Sequence, residues 1–278
     1  MVESNVAGVE RRLTPGMRRM LMAAGVLVAL AGIQLFVFSE RTDRFFAWTI
    51  EPPLTASFLG ASYWASVLFQ FGAARERLWA NARIAVPTVF VFTTVTLIVT
   101  LVHLDRFHLG SEFELGTRFV TWVWIGIYAL VPVIMAVLWL VQTRQPGGDP
   151  PRAVPLAGWV RTLTAIQAVS FTGMGIALLA APVSVAWPWE LTPLTGRAVG
   201  AWVLSLGVAA GHAVLENCFR RLRPAALAYT GLGVLQIWAL IRFPADFDWS
   251  SPSGVIYLLF LATVLVVGVT GLLQSRRR

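Results

Sequence analysis

The chain contains eight runs of about twenty mostly apolar residues, separated by short polar segments. An α-helix needs a run of this length to cross the hydrocarbon core of a bilayer. Only 13% of the 278 residues are charged, about half the share found in soluble domains. The pattern therefore predicts an all-α integral membrane protein. The predicted spans cover residues 19–39, 54–74, 84–104, 119–142, 161–182, 196–216, 224–242 and 253–273.

Charge is distributed unevenly over the segments between these runs. Sixteen of the 22 arginines lie with five acids in alternate segments, and the remaining segments hold six arginines and nine acids. Basic segments stay in the cytoplasm, so the sequence predicts that the N and C termini are both cytoplasmic. An even number of spans independently requires both termini on one side of the membrane.

All basic residues are arginine, and they give the chain a net charge of +8. The absence of lysine excludes a retinal or pyridoxal Schiff base and a phosphate-loop lysine. Because the arginines border apolar runs, we interpret the charge as a topology signal and as contact with anionic membrane lipids, not with nucleic acid. Arginine and alanine enrichment without lysine suggests a high-GC bacterial genome, so the predicted location is a bacterial plasma membrane.

Part of the chain recurs at a fixed offset of 140 residues. Residues 53–108 and 193–248 share ten identities without gaps, in the same order. With four spans in each copy, the second copy re-enters the membrane in the orientation of the first. We therefore predict two parallel four-helix repeats, a signature found in transporters. The repeat motif comprises Glu51, Pro53 and Thr55 in the first copy and Glu190, Pro193 and Thr195 in the second.

The predicted organisation places a Pro/Gly-rich linker near the middle of the chain. Proline and glycine at 146–151 disfavour regular structure there. The predicted parts are an N-terminal tail at 1–18, a first repeat at 19–142, a linker at 143–158, a second repeat at 159–273 and a basic tail at 274–278.

The repeat motif has two interpretations. Thr192 suits the N-cap of a helix, and Pro193 suits its first turn, where a missing N–H costs nothing. A well-formed helix start at the outer interface explains the motif without a functional role. Alternatively, the two copies face each other and frame an extracytoplasmic opening.

The predicted spans hold glutamine and aromatic residues but no carboxylate at the midplane. Ion-coupled pumps usually carry one there, so the sequence favours a neutral or apolar substrate. Trp124 and Tyr128 share a helix face that suits a flat apolar ligand, although packing also explains them. The candidate substrate-binding residues are Gln34, Gln70, Gln167, Gln236, Trp124 and Tyr128.

Two groups of histidines and acids are candidates for other chemistry. His212 and Glu216 lie four residues apart, hence on one helix face, and could relay protons or hold a ligand. A structural pairing of Glu216 with Arg220 or Arg223 is the alternative. His103, Asp105 and His108 could bind a metal such as zinc, although Arg106 opposes a cation and the spacing matches no zinc motif.

Three classes of function remain open from the sequence. The first is a permease or carrier for a small neutral or apolar molecule, with a cavity between the repeats. The second is a non-catalytic, lipid-binding or quinone-binding subunit of a larger membrane complex, whose partners would be other subunits or further copies of this chain. The third is a membrane-embedded lipid-modifying enzyme, which the lack of catalytic motifs disfavours. No cofactor is predicted, because no pair of histidines can face each other across a haem.

Overall fold

The computed structural model describes residues 9–276, and α-helix dominates this part of the chain. The protein is 74% helical, and residues 9–276 contain no β-strand. The tails predicted from the sequence include residues 1–8 and 277–278, which lie outside the described residues. The eight long helices are α1 (Pro15–Gly32, continued as a π-helix at Ile33–Val37), α2 (Pro53–Arg75), α3 (Ala85–Val102), α4 (Leu115–Thr143), α5 (Gly158–Ala180), α6 (Pro193–Glu216), α7 (Arg223–Arg242) and α8 (Pro252–Ser275).

Seven of these helices are long and apolar enough to cross a membrane. The protein is thus a multi-pass helical protein of the membrane type. Each of the eight helices coincides with one of the apolar runs, with ends shifted by a few residues. The helix outside the seven is α2, in which serine, glycine and alanine dilute the apolar residues.

Helix α2 is the most enclosed part of the fold. Fifteen of its 23 residues are buried, and α1 and α7 pack along it. Small side chains on α2 let its neighbours approach closely, as is common where membrane helices associate. Its lower hydropathy therefore accompanies contact with protein on most sides.

The segments between the helices meet at two opposite faces of the bundle. At the termini face, formed by residues 9–14, 76–84, 144–157 and 217–222, Trp79 N donates to Arg11 O (3.0 Å) and Phe219 N donates to Val154 O (2.9 Å). The distal face is formed by residues 38–52, 103–114, 181–192 and 243–251. The segments predicted to be cytoplasmic are those of the termini face.

Hydrogen bonds also organise the distal face. There His108 N donates to Ala47 O (2.9 Å), and Asp248 N donates to Pro188 O (2.8 Å). Each bond joins the segment before α2 or α6 to the segment that follows the next helix, α3 or α7. The peptide bond between Glu51 and Pro52, at the start of α2, is cis.

The first half (α1–α4) and the second half (α5–α8) use the same helix pairings. Helix α1 packs on α2 as α5 packs on α6, and α3 packs on α4 as α7 packs on α8. Between the halves, α2 packs on α7 and α6 packs on α3, and α2 also contacts α6. Helices α2 and α6 therefore form the centre of the interface between the halves.

Glycines allow the close contacts within each half. A Cβ added at Gly60 of α2 would lie 2.5 Å from the backbone nitrogen of Phe36. At Gly200 of α6 it would lie 2.9 Å from Cβ of Leu178. Side chains larger than hydrogen would push α2 away from the end of α1, and α6 away from α5.

Candidate functional site

A cleft of about 900 Å³ opens at the distal face between the two helix-start motifs. Glu51, Pro52 and Pro53 line it from one half, and Glu190 and Thr192 line it from the other. We call this space the distal cleft. The two copies of the motif thus face one opening, which agrees with the second interpretation of the motif.

The distal cleft is acidic. Besides the two glutamates of the motif, Glu40, Asp43 and Asp246 line it, and none of the described lining residues is basic. The negative potential of such a cleft attracts cations and repels anions.

The two helix starts below the cleft are built differently. At α6, Thr192 and Thr195 form a reciprocal capping box, so the predicted N-cap is confirmed. At α2 the groups come from the other half. Asp246 Oδ2 accepts from Leu54 N (3.2 Å), and Trp189 Nε1 donates to Thr55 Oγ1 (2.9 Å). The start of α2 is therefore stabilised across the interface between the halves.

A second, internal cavity of about 80 Å³ lies further along α2 and α6, where α4 closes it. This volume holds roughly five to eight water-sized groups. Tyr63 of α2, Tyr128 of α4 and Trp202 of α6 line it, and the two tyrosine hydroxyls are 2.5 Å apart. At a rise of 1.5 Å per residue, Tyr63 lies about 15 Å along α2 from Pro53. We call this space the aromatic cavity.

Aromatic rings form most of the hard wall of the aromatic cavity. The ring centroids of Phe92 and Trp202 are 3.9 Å apart, and those of Trp124 and Tyr128 are 4.4 Å apart. Trp124 Nε1 donates to Thr100 Oγ1 (3.1 Å), so its polar atom is satisfied within the protein. The cavity offers flat apolar surfaces and no charged group among its described lining residues.

Gln70 is the exception among the polar groups of the aromatic cavity. Its side chain is 2% exposed and lines the cavity, yet Oε1 has no hydrogen-bond partner among the described residues. A buried amide oxygen without a partner costs about 1–3 kcal/mol. The aromatic cavity therefore holds a free acceptor that a small hydrogen-bond donor would satisfy.

The structure brings three of the six candidate substrate-binding residues together: Gln70, Trp124 and Tyr128. Gln236 lies between α7 and α2, where Nε2 donates to Phe58 O (3.0 Å) and Oε1 accepts from the Tyr257 hydroxyl (3.1 Å). This geometry makes Gln236 a bridge between the halves.

The other two candidate glutamines lie apart from the cavity. Gln167 of α5 donates to Thr263 Oγ1 of α8 (3.1 Å), and Gln34 is half-buried in the π-helical end of α1. Tyr63 and Trp202 were missed from the sequence. Their position on the central spans of the two copies was the signal that could have found them.

His103, Asp105 and His108 point to different partners. His103 Nε2 accepts from Arg197 Nη1 (2.8 Å), and Asp105 pairs with Arg106 (3.2 Å). Burial first, and then the charge of Arg197, lower the pKa of His103. The three side chains do not converge, and the described residues contain no group of three or more His, Cys, Asp or Glu side chains arranged to hold a metal.

His108 is held inside the distal face. Nδ1 donates to Phe46 O (3.0 Å), and Nε2 is 3.0 Å from Thr49 Oγ1, which donates to it. Burial lowers the pKa of His108. Both ring nitrogens are thus engaged, and the residue is a neutral strut of the loop near neutral pH.

His212 and Glu216 belong to an ion cluster at the termini face. Glu216 accepts hydrogen bonds from His212 Nε2 (3.1 Å), Arg221 Nη1 (2.7 Å) and Arg83 Nε. Arg83 Nη1 also lies 2.5 Å from Asp149 of the linker. The partner from the 217–222 segment is therefore Arg221 and not Arg220 or Arg223.

The ion cluster joins the two halves at the termini face. Burial acts to lower the pKa of Arg83, but the hydrogen bonds and charges of Glu216 and Asp149 outweigh it and raise that pKa. Arg83 therefore stays charged at all physiological pH values. The cluster fastens the start of α3 and the linker to the end of α6.

Comparison with known proteins gives no relative for this chain: no family model, no curated protein and no solved structure matches it.

Proposed function

We propose that the protein is a membrane carrier for a small neutral or apolar molecule, with its pathway between two parallel four-helix repeats. In this proposal all eight helices span a bacterial plasma membrane and both termini are cytoplasmic. The distal face is then extracytoplasmic, and the distal cleft is the entrance. The observation that carries the proposal is Gln70, whose free Oε1 lies in an aromatic cavity between the halves.

Matched glycine contacts support the repeat. Gly32 of α1 allows Trp64 of α2 to approach, and Gly175 of α5 allows Leu204 of α6 to do so. Gly32 and Gly175 are 143 residues apart, and Trp64 and Leu204 are 140 apart. The same two offsets relate the contacts of Gly60 and Gly200 with α1 and α5. Coincidence among apolar runs would not be expected to reproduce helix contacts in register.

The lining residues support the choice of substrate. The aromatic cavity has no charged lining group to balance an ion, and burying an unpaired charge is very costly. A small molecule with one hydrogen-bond donor would satisfy Gln70 and fill the space between the rings. The acidic distal cleft further disfavours anions.

Alternating access predicts that the aromatic cavity can be reached from both sides of the membrane. Ser66 of α2 and Ser205 of α6 line the cavity, whereas Ser57 of α2 is fully buried outside it. We would replace each serine by cysteine after removing the buried native thiol with Cys218→Ala. A membrane-impermeant methanethiosulfonate is then added to right-side-out and inside-out vesicles.

The carrier proposal expects S66C and S205C to react from both sides, several times faster than S57C. Reaction from one side only would indicate a binding pocket without transport. No reaction beyond that of S57C would indicate a packed seam, and either result would overturn the proposal.

A further inference from the structure

A groove of about 920 Å³ runs between α5 and α6 towards the termini face, away from the aromatic cavity. Val169 of α5 and Val208 and Leu215 of α6 give it apolar walls. Between Gly207 and Leu215 the groove follows α6 for about 12 Å. Arg83 and Arg152 line the end nearest the termini face. An apolar channel that ends in two arginines matches an amphiphile with an anionic head.

Glycine creates this groove. At Gly207 the helices touch, since an added Cβ would lie 2.7 Å from the backbone nitrogen of Thr172. One turn further on, an added Cβ at Gly211 would meet only Ala168, at 3.9 Å. The helices therefore leave a space beside Gly211 that a larger side chain would fill.

The first half fills the corresponding space with its own side chain. Phe71 of α2 precedes Gly211 by 140 residues, and Gly25 of α1 precedes Ala168 by 143, the offsets of the other matched contacts. A Cβ added at Gly25 would lie 2.8 Å from the ring of Phe71. The groove is thus particular to the second half and depends on the missing ring at Gly211.

The polar end of the groove has donors available. Arg152 uses only Nε within the described structure, donating to Glu216 O (2.9 Å), and its side chain is exposed. Arg83 and Arg221 neutralise Glu216 and Asp149. The charge of Arg152 is then left without a carboxylate partner among the described residues.

We propose that this groove binds one anionic phospholipid from the leaflet at the termini face. Its acyl chain lies along Val169, Val208 and Leu215, and its phosphate contacts Arg152. The apolar walls and the positive end select for an anionic lipid over a zwitterionic lipid or a free anion. This site does not depend on carrier activity, because it lies outside the aromatic cavity.

The test is lipid retention by native mass spectrometry of the full chain, purified with phosphatidylglycerol and phosphatidylcholine of identical acyl chains. We expect wild type to retain phosphatidylglycerol with about a fivefold preference, the effect of one arginine near an anionic lipid. Gly211→Phe, which supplies the ring of the first half, and Arg152→Gln, which removes the exposed charge, should each abolish that preference.

Gly173→Phe is the matched control, because Gly173 has open space around it and does not line the groove. It should retain lipid as wild type does. R152Q changes an exposed side chain, so it tests the proposal even if G211F fails to fold. Equal retention of the two lipids by wild type, an unchanged preference in R152Q, or displacement of the lipid by inorganic phosphate alone would overturn the proposal.

Discussion

Replacing Glu216 by glutamine tests the ion cluster at the termini face most directly. The side chains of Glu216 and Arg221 are each only 4% exposed, so water cannot replace the charge that is removed. Glutamine keeps the shape of the side chain but has one acceptor oxygen where three donors converge. The substitution therefore leaves a buried guanidinium without its nearest counter-charge.

The expected cost follows from the geometry. Breaking one side of a buried ion pair costs about 3–5 kcal/mol, and a single charge-assisted hydrogen bond contributes about 1.5–3 kcal/mol. Asp149 remains 3.7 Å from Arg221 Nη1 and 2.5 Å from Arg83 Nη1, which offsets part of the loss. We expect Glu216→Gln to lower the free energy of unfolding by about 2–4 kcal/mol.

Glu76 provides the matched control, because it lies at the end of α2, 140 residues before Glu216. It is half-buried and accepts one hydrogen bond, from Asn81 Nδ2 (3.2 Å). Glu76→Gln should cost about 1 kcal/mol or less. Unfolding is followed by tryptophan fluorescence as sodium dodecyl sulfate is added to maltoside micelles. Equal losses in the two variants would refute the assignment of the cluster as a buried clamp.

Further substitutions test the packing and the polar groups elsewhere. Gly60→Ala should lower stability by about 1–3 kcal/mol, because its Cβ meets the backbone of α1. Gln236→Leu should cost about 1–3 kcal/mol, because it leaves Phe58 O without its donor. Gln70→Leu should leave stability unchanged or raise it, because it removes an unpaired buried oxygen. Stability should fall as pH drops below about 6.5, since the unfolded chain then binds a proton that His108 in the folded state resists.

Each of these outcomes has its own control. Gly126→Ala adds a methyl group to open space and should not change the unfolding midpoint. Because the pKa of His108 is lowered, its contribution is present above the unfolded pKa and is lost as the pH falls through the folded one. His108→Gln should flatten the unfolding midpoint measured between pH 7.5 and pH 5.5. A Gln70→Leu protein that unfolds more easily than wild type would show that Oε1 is paired in the native protein.

The helices could be predicted from the sequence because each is coded locally. Apolar length marks the spans, and Thr192 with Pro193 marks a helix start whatever packs around it. The aromatic cavity could not be predicted in the same way. Tyr63 and Trp202 meet only because α2 and α6 cross with those faces together, and sequence spacing does not fix that rotation. Arg221 was missed for a related reason: the left-handed turn at Asn217 decides which arginine reaches Glu216.

Differences between the halves explain why one bundle carries two unlike sites. Equal halves would give equal seams, and the matched glycines do give similar contacts between α1 and α2 and between α5 and α6. Two adjacent positions depart from the match. Gln70 supplies the free acceptor of the aromatic cavity where Ala210 stands in the second half, and Gly211 opens the lipid groove where Phe71 closes it in the first. Since these positions are separate from the shared glycine contacts, either site can change without loosening the helix pairs that hold the fold.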